Sequence, residues 1–402
     1  MAMYIAELDK PWIESPFLFQ GFPVNTDEEI EQLRELCDYV YVDTERTPFD
    51  VRPSLNVLNK IASKQPNIPI ESEKSDNEEF SNYKKQLIYA KKLRDKTRDY
   101  IDHVLDDVRM GKSVNTKDAR IIVTNLVDSI VSSPDASMWL THLKKRDEYT
   151  AIHSVNVCIL TITFGRAIGV DKKDLINLGL GALLHDIGKM KTPLEILNKE
   201  GKLTKDEFTI MMRHPYEGYS VLKEDKNMSP ESLEIILSHH ERLDGSGYPG
   251  NITEVKITYF TRIVSIVDVY DAITSDRVYH DGISPHDALN KLFQWMPGKY
   301  DKELMEKFIK TIGIYPIGSI VELKSGHVGM VAKFDEKNKL RPVIMLLLDK
   351  NKKSYSQRKM INTSNPMWRK KNYSVEIKRI VEAKEYGINV NAILLGESKS
   401  DI

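Results

Sequence analysis

At 402 residues the chain is too long for one hydrophobic core, which rarely grows past about 250–300 residues, so two or three domains are expected. A formal net charge of −1, with 41% hydrophobic and 29% charged residues, gives no long-range electrostatic reason to expect nucleic acid or an anionic membrane as partner. An anionic substrate must therefore be held by local charges or by metal ions.

The opening "MAMYIAELDKPWIESPF" has no basic stretch followed by an apolar one, which argues against a secretion signal. Residues 1–66 read as a small α/β module. "MYIAEL" has the texture of a strand, and "TDEEIEQLRELC" opens with a capping box, Thr26 to Glu29, and continues with helical spacing. "YVYVD" (39–43) is a second strand candidate. Around 64–80 the chain is acidic, contains two prolines and has few large apolar residues, so 67–80 is expected to be a linker. Residues 81–144 read as a helical connector dominated by a long charged helix ending near Gly111. That helix is a candidate dimerisation surface, although its charge suits a solvated face better.

From 145 to 312 the pattern is helical throughout, with starts marked by Thr204 and Glu207, by Ser229 before Pro230 and by Ser284 before Pro285. The uncharged run at 149–165 is too short and too polar to span a bilayer. Beyond Pro316 the sequence alternates and is rich in β-branched residues, so 313–402 should form a small β-rich unit. Cys37 and Cys158 are far apart in apolar patterns, as in a reduced, cytoplasmic protein. The expected fold is mainly α: an all-helical domain with a small N-terminal α/β module and a small β-rich C-terminal extension.

Of the ten histidines, five stand out in the helical region beside aspartates: His153, His185 followed by Asp186, His214, and the adjacent His239 and His240. Asp268 lies in the apolar "RIVSIVDVYDAI". Each has an ordinary explanation when taken singly. His153 suits a satisfied core histidine, and His214 suits a histidine at a helix C-terminus. Asp268 is harder to dismiss, because a buried unpaired carboxylate costs several kcal/mol. Together, without thiolates, they favour a site for divalent transition metals, with room for two ions. On a continuous helix His185 and Lys189 share a face, which places a cation over whatever His185 binds and suits a phosphate lying between them. His239 and His240 would be about 100° apart on a helix, serving neighbouring ions or dividing between ion and substrate.

"HDIGK" (185–189), "HHERLDGSGYP" (239–249) and "RIVSIVDVYDAITSDRVY" (262–279) together resemble the HD-GYP family of metal-dependent cyclic dinucleotide phosphodiesterases, over roughly residues 145–312. The N-terminal "YIAELDKPWIESPFLFQGF" resembles an uncharacterised module found ahead of such domains. Position by position, the resemblance makes His153, His185, Asp186, His214, His239, His240 and Asp268 metal ligands, with Asp186 bridging two ions. It gives Lys189 and Arg277 phosphate contacts and places Tyr248 beside the substrate cleft. Some members carry a third metal on a glutamate four residues before the first histidine. Here that position is Tyr149, with Glu148 one residue too early, so a binuclear site is expected. His280 stands where some members have a lysine.

The resemblance implies two divalent transition ions, Fe or Mn, and cyclic di-GMP as substrate, opened to pGpG with GMP as a further product. The reaction expected is in-line attack by a metal-activated hydroxide, with no protein nucleophile and with Asp186 and Lys189 as the catalytic residues. Three alternatives stand beside it: hydrolysis of 3',3'-cyclic GMP-AMP, hydrolysis of other nucleotides as in the broader HD superfamily, and a non-catalytic receptor or partner for diguanylate cyclases.

Overall fold

The computed structural model describes residues 3–8, 22–24, 26–43, 74–141, 149–275, 282–295, 297–313, 315–334, 341–355, 359–365 and 375–388. They divide into two compact units, one of residues 1–80 with 312–387 and one of 81–311 with 388–402.

In the first unit, β1 (Met3–Leu8) lies between β2 (Phe22–Val24) and β3 (Val40–Val42), antiparallel to both. Helix α1 (Asp27–Leu36) starts with the expected reciprocal capping box of Thr26 and Glu29. Ile5, Val24 and Leu33 form its small core.

Helix α2 (Lys74–Arg109) begins inside the stretch expected to be a linker. The acids of "KSDNEEF" explain the difference: low hydrophobicity suggests a linker, but negative charge in a first turn also complements the helix dipole. At the other end, Arg109 donates to Met190 Sδ at 3.0 Å, and Lys191 Nζ donates to the Val108 carbonyl at 3.0 Å.

The helical unit continues with α3 (Thr116–Ser132), α4 (Pro134–Leu140), α5 (Tyr149–Ala167) and α6 (Lys172–Leu184). Every residue from Ala151 to Gly165 is buried, so the apolar run too short for a bilayer is the central helix of the bundle. Short α7 (Leu194–Leu197) and α8 (Lys205–Met211) lead to α9 (His214–Leu222) and α10 (Pro230–Ser238). Helix α11 (Tyr259–Thr274) packs on α5 and α10, followed by α12 (Pro285–Trp295) and α13 (Lys302–Ile312). The caps at Thr204, Ser229 and Ser284 all form. Phe164, Phe308 and Tyr270 close the far end of the bundle with edge-to-face contacts at 5.2 Å.

The C-terminal strands β4 (Ile320–Leu323), β5 (Val328–Lys333), β6 (Val343–Leu348), β7 (Met360–Asn362) and β8 (Ile377–Val381) form one antiparallel sheet in the order β7-β6-β5-β4-β8. The alternation expected from sequence does not become a wet face in its centre. All of β4 and β6 is buried, and β6 reads "VIMLLL" without a polar break. Glu322, buried in β4, is held by Arg379 Nε at 2.9 Å and Lys352 Nζ at 3.1 Å. No described helix is long and apolar enough to cross a membrane.

Candidate metal centre

The histidines and aspartates singled out in the sequence meet at helix ends around α5. His153 comes from within α5 and Asp268 from within α11. His185 caps α6, whose helical hydrogen bonding stops at Leu184; Asp186 follows, and the chain tightens into a 3-10 turn over Ile187–Lys191. This ending changes one sequence expectation. Lys189 does not sit one α-turn above His185; its ammonium lies 2.6 Å from Asp186 Oδ2. His214 is the first residue of α9, not at a helix C-terminus. His239 caps α10 with its backbone still in the helical region, and both His239 and His240 offer a ring nitrogen to the same group of donors.

Two groups of donor atoms share one residue. Asp186, His214, His239 and His240 offer atoms within 4.8 Å of one another, as do His153, His185 and Asp186. Asp186 Oδ1 lies 3.2 Å from His214 Nε2, and its Oδ2 lies 3.2 Å from His185 Nε2. Asp268 spans the same gap: Oδ1 is 3.1 Å from His153 Nε2, and Oδ2 is 3.7 Å from His240 Nδ1.

The imidazoles are oriented from behind. Nδ1 of His185, His214 and His239 meets the carbonyls of Ala182, Met211 and Ile236 at 2.7, 2.8 and 3.0 Å. A carbonyl only accepts, so Nδ1 carries the proton and Nε2 presents its lone pair to the centre. His153 uses a carboxylate instead: its Nδ1 lies 2.8 Å from Asp271 Oδ2. Asp271, buried, is itself held by Asn156 Nδ2 at 3.2 Å and Ser275 Oγ at 3.2 Å. Sequence reading missed Asp271. The available signal was its place one turn after Asp268, on the same helix face.

Electrostatics prepare the cluster for cations. Burial pushes the pKa values of His214, His239 and His240 down, leaving them neutral and able to ligate. Burial would also push His153 down, but the Asp268 and Asp271 carboxylates outweigh it and raise it to about 9. Burial alone would raise Asp186, yet His185 and Lys189 hold it well below the usual carboxylate range. His185 Nε2 and Asp186 Oδ1 are buried and make no hydrogen bond, although each has a polar neighbour at 3.2 Å. Orphaned donor atoms of this kind, in a set of imidazoles and carboxylates without thiolate, fit divalent transition metals.

Backbone contact fixes the spacing of the two halves. A Cβ on Gly188 would lie 2.0 Å from the His214 carbonyl oxygen and 2.4 Å from Gly218 N, so only glycine lets the turn after Asp186 lie against α9.

The stretch after His240 forms a loop tied down by Glu241. This buried carboxylate accepts from Gly250 N at 2.6 Å and Ile252 N at 3.2 Å. Of the three loop glycines, Gly245 has a φ of +77°, and Gly247 passes so close to the helix end that a Cβ would sit 2.4 Å from Arg242 N. The Tyr248–Pro249 bond is cis, and the Tyr248 ring lies 4.6 Å from that of His240. Replacing Glu241 with Ala strands two backbone donors of this loop. Hydrogen bonds to charged groups are worth about 1.5–3 kcal/mol each, so urea denaturation should show a loss of at least about 2 kcal/mol. An unchanged midpoint would show that the loop is anchored elsewhere. Arg277, His280 and Glu148 lie outside the described residues, while Tyr149 is the first residue of α5.

Comparison with known proteins agrees with this geometry. Residues 134–304 match the family described as HD domain, and residues 3–119 match a domain of unknown function, DUF3391. The chain is 32% identical to a cyclic di-GMP phosphodiesterase of Pseudomonas aeruginosa over 355 residues, 88% of this chain and 84% of that protein. It is 31% identical to a cyclic di-GMP phosphodiesterase of Borreliella burgdorferi, over 52% of this chain and 56% of that one. A 3'3'-cGAMP-specific phosphodiesterase of Vibrio cholerae is 33% identical over 44% of this chain and 41% of its own length. Fold and donor cluster thus define an HD-domain metallohydrolase. Within that class the chain belongs to the HD-GYP family of phosphodiesterases.

Proposed function

We propose that the protein hydrolyses cyclic di-GMP to linear pGpG, with GMP as a further product, using two divalent transition ions, Fe or Mn. The observation that carries this reading is the sharing of Asp186 by two groups of donors. His153 and His185 would hold one ion and His214, His239 and His240 the other, with Asp186 offered to both and Asp268 beside the pair. When bound, the ions neutralise the phosphodiester oxygens and lower the pKa of an attacking water.

The remaining work belongs to side chains. Lys189, only partly buried and already beside Asp186, can turn its ammonium to a phosphate oxygen and steady the charge that develops in the transition state. Arg277, by its motif position, supplies a second phosphate contact. Tyr248 shields one side of His240 and borders the substrate. A complete donor set favours catalysis over a receptor or a diguanylate-cyclase partner without turnover.

Product analysis with anaerobically prepared Fe- or Mn-loaded protein, offered cyclic di-GMP and 3',3'-cyclic GMP-AMP, tests the reading. Preferred turnover of cyclic di-GMP supports it; turnover of only the mixed dinucleotide, or of neither, overturns it. Lys189→Ala should retain its metal and lose about 100-fold or more in kcat, as when one donor to a developing oxyanion is removed. Full metal content with wild-type kcat would remove Lys189 from the mechanism.

A further inference from the structure

Beside the Tyr248 face of His240 lies an open cleft of about 720 Å³ in the helical unit. His240 belongs to both the donor cluster and the cleft wall, so the cleft begins where the metal centre ends. Its walls carry three cations, Arg213, Arg242 and Lys299, and no carboxylate. They also carry aromatic rings that the fold leaves in solvent: Phe208, Tyr216 and Trp295 are 46%, 56% and 44% exposed.

These cations differ in how they are engaged. Arg242 is committed to the protein, since its guanidinium donates to the Glu241 carbonyl at 2.9 Å and lies 4.8 Å from the centre of the Tyr300 ring. Arg213 reaches Glu217 only at 3.4 Å, on an exposed side chain. Lys299 contributes its carbonyl to Leu243 N, while its ammonium makes no hydrogen bond or ion pair among the described residues. Two cations thus share the cleft walls with exposed rings. Aromatic faces give base-tolerant stacking and cationic side chains track phosphate, the pairing by which proteins hold single-stranded nucleotides.

We propose that this cleft is a subsite for the distal nucleotide of the substrate: Trp295 stacks its base, and Arg213 and Lys299 hold its phosphate while the other phosphodiester lies at the donor cluster. This rests on the phosphodiesterase reading and deepens it. The bound species is a purine nucleotide carrying a phosphate. Because stacking is indifferent to the edge of a base, the subsite takes guanine or adenine.

The test compares full-length, metal-loaded wild type with Trp295→Ala and with the double variant Arg213→Ala/Lys299→Ala. One readout is the ratio of kcat/KM for cyclic di-GMP to that for bis(p-nitrophenyl) phosphate, which has a phosphodiester but no base or second phosphate. The other is calorimetric binding of linear pGpG. The ratio should fall at least about tenfold in both variants, and pGpG binding should weaken by a similar factor, the scale of one lost stacking contact. Both quantities unchanged in both variants would overturn the subsite. Wild-type protein that hydrolyses no cyclic dinucleotide would overturn the proposed function instead, and pGpG binding would still decide whether the cleft holds a nucleotide.

Discussion

Asp186→Ala should lose bound metal and phosphodiesterase activity together while remaining folded. Asp186 is the one residue common to both donor groups, and both of its oxygens approach ligand nitrogens at 3.2 Å. Without it only Asp268 is left between the two groups, and the carboxylate common to both, whose charge would let two cations sit together, is gone. Metal catalysis supplies several kcal/mol of transition-state stabilisation, and each 1.36 kcal/mol is tenfold in rate, so a loss on the order of a thousandfold or more is expected. Elemental analysis and circular dichroism on the same preparation make the check. An Asp186→Ala protein with full metal content, or with wild-type turnover, would show that the bridging role is wrong.

The second large effect is at a residue outside both donor groups. Asp271 receives the back of the His153 ring at 2.8 Å and is held in turn by Asn156 and Ser275. Asp271→Asn keeps the shape but removes the charge that makes His153 a strong donor. Loss of such a partner typically costs 10–100-fold in metal affinity, so a fall of about that size is expected. A positioning role also predicts that kcat recovers toward wild type at saturating metal, which a general loss of folding would not do. Metal affinity equal to wild type would remove Asp271 from the site.

The convergence of the candidate metal ligands was largely legible in sequence because they are chemically conspicuous: imidazoles and carboxylates in otherwise apolar helices. Its supports were not. Asp271 can be recognised only once α11 is known to lie against α5, since its partner His153 is 118 residues away. The position of Lys189 depends on α6 ending at Leu184, and "LLHDIGKM" contains neither proline nor a strong terminator before Gly188. Glu241 was hidden for another reason: a carboxylate between a histidine and an arginine looks like a surface charge until the loop folds back over it. In the N-terminal unit β1, β3 and α1 were readable from local pattern and capping alone, while the three-residue β2 was not. In the C-terminal unit the β texture was readable, but the burial of both faces of β6 comes from packing that no single strand encodes.

The way donors are recruited along the chain also bears on stability. His153 and Asp268 are 115 residues apart, and the other donors are spread between them. Ions held by all of them would tie the polypeptide into a large loop with several inner loops, and every such tie would restrict the unfolded chain. A covalent bridge spanning about 100 residues is worth roughly 4.7 kcal/mol by that entropic effect alone. A loaded centre would therefore also be a non-covalent staple across the helical unit. Its hold strengthens with free ion concentration, so chelators should lower the melting temperature as well as the rate.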